Sequence, residues 1–268
     1  MKISSEDFLE KYKQLFLTLT TGIGIFAFWK MKYLIENGES FFLSDYGCYY
    51  TIYNNHLVIY HSPDNKMHLS LDALNKLDCI SIPANIFDIV KEHLTGFNPS
   101  YDWGLKYNFA YNPPDHTSLL YDVVDFDFTN SEHFEIAAKI IDIKGDWINE
   151  RNIRKMMTYS AFDPSLWFFI KDATSQELAA ISISAYDAEV KQTDLDWIYV
   201  APEYQGKGCG RYLIEETIRR CKDRSKSICV GGQVGFYRKC GFVNDTLWVW
   251  APKQDYQFKA YGITPEVI

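Results

Sequence analysis

Residues 195–211 read LDWIYVAPEYQGKGCGR, and this stretch decides the fold. Leu195, Trp197 and Tyr199 fall on one side of an extended segment, and Asp196, Ile198 and Val200 on the other. Pro202 ends the strand, because proline brings no N–H to a ladder. A glycine-rich turn follows, Gln205-Gly206-Lys207-Gly208-Cys209-Gly210. Arg211 then opens a segment with Leu213, Ile214, Thr217, Ile218 and Cys221 at helical spacing. A strand, a glycine turn and a helix start together aim backbone N–H groups at an anion. Glycine permits positive φ there and leaves the backbone uncovered.

The turn is not GxxxxGK[ST], and it is GxGxG rather than GxGxxG, so neither nucleotide fingerprint fits. It does fit Q-x-x-G-x-G, on Gln205, Gly208 and Gly210. The run VAPEYQGKGCGR resembles the pyrophosphate-binding loop of the GNAT superfamily, the acyl-CoA-dependent N-acyltransferases. Downstream, after a helix and a strand, Phe236-Tyr237-Arg238-Lys239-Cys240-Gly241-Phe242 resembles that family's Y-x-x-x-G-F segment. The resemblance covers residues 121–250, about half of the chain.

The resemblance implies a mixed α/β (α+β) GNAT fold, a central and mostly antiparallel sheet flanked by helices. It also implies acetyl-CoA as cosubstrate, with no metal. Its pyrophosphate would lie on the N–H groups of Gln205, Gly206, Lys207, Gly208, Cys209, Gly210 and Arg211, with Lys207 and Arg211 adding charge. The strand carrying Ile198, Tyr199 and Val200 would flank the pantetheine arm, and the Val200 N–H would polarise the thioester carbonyl. Tyr237 would protonate the departing thiolate. Family members often carry an asparagine before the tyrosine helix. Here that connection is Gly231-Gly232-Gln233-Val234-Gly235, and Gln233 is the substitute.

Direct attack by an amine needs a group to remove its proton. Asp196, Asp194 and Glu203 are the carboxylates near the loop. Asp196 ranks first, because a carboxylate inside a central strand needs a reason to be there. The other readings of Asp196 are an ammonium-binding group, a solvent-facing side chain or an arginine partner. Cys209 at a helix start favours a reactive thiol, but no histidine stands near it in sequence. Glu215 and Glu216 pair with Arg219 and Arg220 at i,i+4, so that basic run reads mostly as a solvated helix face.

The bulk properties set limits. Hydrophobic residues make up 47% of the 268 residues and charged ones 23%, as in globular proteins. A net charge of −8 argues against nucleic acid as the partner. Six cysteines without CxxC spacing read as reduced thiols, not a disulfide frame or a zinc site. The N-terminus MKISSEDFLEKYK shows no signal-peptide pattern, which points to the cytoplasm. The uncharged run 14–29 is shorter than the roughly 18–20 residues of a membrane span and is expected to be a buried helix.

No arginine precedes Arg151, while aromatics cluster before it. That shift suggests a smaller α+β domain over 1–118 and the transferase domain over 119–268. The first domain is expected to hold a helix over 5–36, broken near Gly22 and Gly24, then strands at 41–43, 48–53 and 56–61. A helix over 85–94 and a strand at 107–111 follow. His56, His61, His68, His93 and His116 lack metal-ligand spacing. This half would complete the acceptor site, cover it or form a homodimer; a degenerate second copy of the transferase fold is a further reading, with no motif in its sequence to support it. In the second domain a strand at 121–128 precedes a helix capped by Thr129 or Ser131 and running to about 143, then a helix over 150–159. A hairpin of 167–170 and 178–185, strands at 194–200 and 227–230, and a closing strand at 248–250 complete it.

The function expected is acetyl transfer from acetyl-CoA to a primary amine in a ternary complex. The alternatives are a CoA-binding sensor without turnover and an interaction protein whose working part is the N-terminal half.

Overall fold

The structure is a computed structural model and describes residues 1–18, 27–112, 120–141, 149–232 and 234–256. Two compact units share the chain. Among the described residues the first takes those of Met1–Leu105, Gly231–Val234 and 244–256, and the second those of Lys106–Val230 and Gly235–Val243. The division is therefore not a single cut near residue 118, because the last strand leaves the C-terminal half and joins the first unit.

The first unit opens with α1 (Ser5–Thr18), capped by the Ser4 hydroxyl, which accepts the Asp7 N–H at 3.0 Å. After α2 (Phe28–Asn37) come β1 (Glu39–Leu43), β2 (Cys48–Tyr53) and β3 (His56–His61), an antiparallel meander. Cross-strand aromatic pairs hold it, Phe42 on Tyr49 with centroids 4.5 Å apart and Phe41 on Tyr50 at 4.9 Å. Then α3 (Leu71–Asn75) leads into β4 (Cys79–Pro83), parallel to β3. α4 (Ala84–Val90) and β5 (Ser100–Tyr107) follow. The last strand of the chain, β11 (Phe242–Pro252), lies antiparallel to β4 with Trp248 opposite Pro83. Val249 and Ala251 thereby enter the first unit's core with Leu57, Ile80, Ile82 and Phe87.

The second unit orders its strands β10-β9-β8-β7-β6. These are β6 (Tyr121–Asp125), β7 (Phe162–Asp172), β8 (Leu178–Asp187), β9 (Gln192–Val200) and β10 (Ser227–Gly231). All neighbouring pairs are antiparallel except β10 on β9. Alternation along the strands builds two cores. Trp167, Phe169, Ile181, Ile183 and Trp197 meet α5 (Ser131–Ile141) and α6 (Glu150–Met156) on one face. Phe168, Ile170, Ala180, Ile198 and Val200 meet α7 (Cys209–Cys221) on the other. A short α8 (Val234–Lys239) precedes β11. The expected mixed α/β architecture, a mostly antiparallel sheet flanked by helices, is what forms.

Several local expectations need correction. Tyr107 ends a strand rather than starting one: Asn108 accepts the Ala110 N–H on its side chain and closes a turn at Tyr111. The cap of α5 is Asn130, whose side chain accepts the Glu132 N–H at 3.0 Å; Thr129 donates its hydroxyl to Asp127 instead. The strand Cys79–Pro83 and helix Leu71–Asn75 had no signal strong enough to be read. Part of the uncharged run 14–29 lies outside the described residues; its ends fall in α1 and α2. No helix among the described residues is long and apolar enough to cross a membrane.

Candidate active site

The parallel ladder between β9 and β10 is short. Ser227, Ile228 and Cys229 stand opposite Gln192, Thr193 and Asp194, and the pairing ends there among the described residues. Beyond Asp194, β9 runs on for six residues with β8 on one edge only. The direction of its backbone groups follows from one bond. The Ala201 N–H donates to the Ala179 carbonyl at 2.9 Å, so by antiparallel alternation the N–H groups of Tyr199 and Trp197 also face β8. Those of Ile198 and Val200 face the other edge. The Val200 carbonyl, on that same edge, accepts the Gln205 side-chain amide at 3.1 Å.

The loop after β9 ends in an uncapped helix. The Gln205 N–H is already used, donating to Pro202 at 3.2 Å, so the predicted set of free donors begins at Gly206. Gly206 and Gly208 have φ of +73° and +89°, which only glycine adopts without strain, and an added Cβ at either would meet nothing within 4 Å. Gly208 is the N-cap of α7 and offers no side chain to its first turn. The Tyr212 N–H is bonded to the Gly208 carbonyl, leaving the N–H groups of Cys209, Gly210 and Arg211 without an intrahelical acceptor. Gly210 serves packing: a Cβ there would stand 3.2 Å from Val200 and 3.3 Å from Phe236. The Tyr121 hydroxyl donates to the Lys207 carbonyl at 3.1 Å, and the Lys207 ammonium lies 5.6 Å over the Tyr204 ring.

The predicted side chains scatter more than the loop does. The Cys209 thiol is fully buried among Tyr121, Phe168 and Leu213, and burial pushes it up to about 12, assisted by Asp172. The helix start therefore does not make it reactive. Arg211 is committed to Glu215 at 2.8 Å. Glu215 is thus not the partner of Arg219; Glu216 alone takes both Arg219 at 2.6 Å and Arg220 at 2.7 Å. Arg220 is no solvated residue either. It bonds Asp125 and the Ser165 carbonyl and lies 4.2 Å over Phe168. Glu203 is exposed in the turn after β9. Gln233 lies outside the described residues.

The carboxylates are rearranged by a bulge. Ile183 faces Trp197 and Ala185 faces Asp194, so Leu195 and Asp196 together oppose the single residue Ser184. Strict alternation would put Asp194 with Asp196, Ile198 and Val200. The extra residue instead turns Asp194 to the face of Trp197 and Tyr199, where it is buried, and leaves Asp196 half-buried at the bulge itself. The charge of Asp194 reaches the Tyr237 phenol, which burial first, then Cys240, Tyr199 and Asp194 hold well above its usual value. Cys229 points its thiol at Asp194 from 3.7 Å. Only the pairing register locates Asp194 on this face. No group of three potential metal ligands occurs among the described residues.

Residues 163–244 match the family model described as "Acetyltransferase (GNAT) domain". Curated protein sequences return no match. Among solved structures, a GCN5-related N-acetyltransferase from Sphaerobacter thermophilus is similar with a TM-score of 0.63 at 15% identity, over 91% of this chain and 84% of that one. A GNAT-family acetyltransferase from Colwellia psychrerythraea reaches 0.63 at 11% identity, over 95% and 99%. A tandem GNAT protein from the clavulanic acid biosynthesis pathway reaches 0.56 at 8% identity, over 96% and 99%. At such identities the likeness is one of fold.

Proposed function

From the premise that residues 163–244 form a GNAT acetyltransferase domain, we propose that the chain transfers the acetyl group of acetyl-CoA to a primary amine by direct attack. The observation that carries this reading is the open edge of β9 after Asp194, running directly into the uncapped start of α7. An extended thiol arm needs a free strand edge, and a pyrophosphate needs free N–H groups at a helix start. The residues fit that ligand, with space above Gly206 and Gly208.

Gly206, Lys207, Gly208, Cys209, Gly210 and Arg211 bind the pyrophosphate through their N–H groups, aided by the helix dipole. Ile198, Tyr199 and Val200 line the arm. Bound acetyl-CoA supplies an activated thioester. The Val200 N–H stabilises negative charge at its carbonyl oxygen, worth roughly 3–4 kcal/mol for one such donor. Asp194 shares a face of β9 with Trp197 and Tyr199, its charge reaching the Tyr237 phenol, and takes the proton of the attacking amine; Asp196, at the bulge, is the other carboxylate within the same stretch. Tyr237 keeps its proton. A phenol held above its usual value of about 10 is a weaker acid than a thiol near 8.5, so it serves the leaving sulfur as a hydrogen-bond donor. The enzyme acts where acetyl-CoA is available, in the cytoplasm, and its acceptor is a small or protein amine.

Titration calorimetry with acetyl-CoA, followed by a panel of amines scored for CoA release, tests the reading. Saturable binding near micromolar, about −8 kcal/mol, is expected. Asp194→Asn should cut kcat at least tenfold and more than Asp196→Asn does. Tyr237→Phe should lower kcat without weakening acetyl-CoA. Binding without release on any amine would favour a CoA sensor, and absence of binding by folded protein would refute the proposal.

A further inference from the structure

The two halves of the chain repeat one plan in the order of their elements. The first runs α1, α2, β1, β2, β3, α3, β4, α4, β5, and the second, after β6, runs α5, α6, β7, β8, β9, α7, β10, α8, β11. In both, three antiparallel strands are followed by a helix and a strand parallel to the third. In both, that parallel ladder is short: His56 and Leu57 against Cys79 and Ile80, and Gln192, Thr193 and Asp194 against Ser227, Ile228 and Cys229. In both, a bulge on the third strand comes directly after the ladder. Thr51 faces Ile59 while Ile52 faces Leu57, which leaves Val58 as the extra residue of β3. Such agreement in order, direction, ladder end and bulge is that of a duplicated fold.

We infer that the N-terminal unit is an internal copy of the transferase fold whose anion loop is closed by its own side chains, so that the chain holds a single acyl-CoA, on the C-terminal unit. The inference rests on the acetyl-CoA reading above. The two side chains assigned to the chemistry have counterparts that lack it. The last rung of the third strand, Asp194 in the second unit, is the buried Leu57 in the first. The fourth residue of the helix after the parallel strand, Tyr237 in α8, is Phe87 in α4, buried and without a hydroxyl.

The loop after the third strand differs most. Residues 62–70 read SPDNKMHLS and contain no glycine. Where Gly208 leaves the start of α7 uncapped, the Ser70 hydroxyl caps α3 by accepting the Ala73 N–H at 3.2 Å. Asp64 is an anion that the loop itself supplies. Its carboxylate accepts the Ser62 hydroxyl, the Lys66 N–H at 3.1 Å and a ring N–H of His68 at 2.9 Å. The Tyr60 hydroxyl takes the His68 N–H at 2.6 Å and donates to the Lys66 carbonyl at 2.8 Å. The Ser62 hydroxyl and the N–H groups of Asn65, Lys66 and His68 are therefore spent on groups of the chain. Its helix, five residues long, also has little dipole to offer.

The test is the stoichiometry of acetyl-CoA on the whole chain, by calorimetry and native mass spectrometry. One molecule per chain is expected, with Gly208→Val weakening it at least fifty-fold, and Asp64→Ala with Ser70→Ala changing the dissociation constant less than twofold. Circular dichroism checks folding, and Gly208→Ala replaces the valine variant if that one fails to fold. Two molecules per chain would overturn the inference and leave the proposed activity standing. One molecule that survives Gly208→Val but is lost in the Asp64/Ser70 variant would place the site in the wrong unit and overturn both. No binding by folded wild type would overturn the acetyl-CoA reading, and the single site with it.

Discussion

Val200→Pro isolates the oxyanion donor. The Val200 N–H faces the edge of β9 that β8 does not use, because Ala201 and, by alternation, Tyr199 supply the ladder bonds on that side. Proline at 200 therefore removes one donor and no ladder bond, and proline is tolerated on strands where the N–H has no strand partner. Its ring occupies much of the space in which the Val200 side chain meets Gly210. One donor of this kind is worth about 2.7–4 kcal/mol, so kcat should fall about 100- to 1000-fold. The dissociation constant of acetyl-CoA should change by less than about threefold, because the loop donors from Gly206 to Arg211 carry that affinity. The assay is CoA release with an amine found by screening, with Val200→Ala as the control for the lost side chain. A cooperative unfolding transition within a few degrees of wild type would show that the proline is accommodated. A folded Val200→Pro protein that turns over within threefold of Val200→Ala would refute the assignment.

Three further expectations concern stability. Arg220→Ala should cost about 2–3 kcal/mol in urea unfolding, because it uncovers Phe168 and removes partners of Ser165, Asp125 and the mostly buried Glu216; Arg220→Lys should recover less than half, lacking the planar fork. His56 is buried, bonded to Ser81 at 2.7 Å and Tyr256 at 3.0 Å, and burial pushes its pKa down to about 3. The unfolded chain takes up a proton below about 6.5 while folded His56 stays neutral, so its contribution is complete above that pH and is lost as pH falls toward 3. Between pH 6.5 and 5 the wild type should lose about 2 kcal/mol more than His56→Gln, and equal slopes would refute this. The fragment 119–268 should not fold on its own, since Val249 and Ala251 lie in the core with Ile80 and Ile82 of β4; a cooperative melt matching that of the whole chain would contradict the shared strand.

What the sequence determined by itself was local. The glycines at 206 and 208, the proline after β9 and the helical spacing from Leu213 fix a strand-turn-helix with open donors, because φ preferences and side-chain periodicity act within a few residues. The alternation from Trp197 to Val200 gave the two faces of that end of β9 for the same reason. Tertiary pairing decided the rest. A bulge is a mismatch between two strands, so no reading of β9 alone could move Asp194 to the face of Trp197 and Tyr199. Arg220 looked like a surface residue because its partners Asp125 and Ser165 are remote in sequence. The closing strand looked like the end of the C-terminal domain, yet its partner is Cys79–Pro83, far back in the chain. The duplication was hidden because the copies share backbone pairing but not side chains: Leu57, Ser70 and Phe87 stand where Asp194, Gly208 and Tyr237 do. Pairing and register are made by backbone groups that every residue carries, and so they leave little trace in the order of side chains.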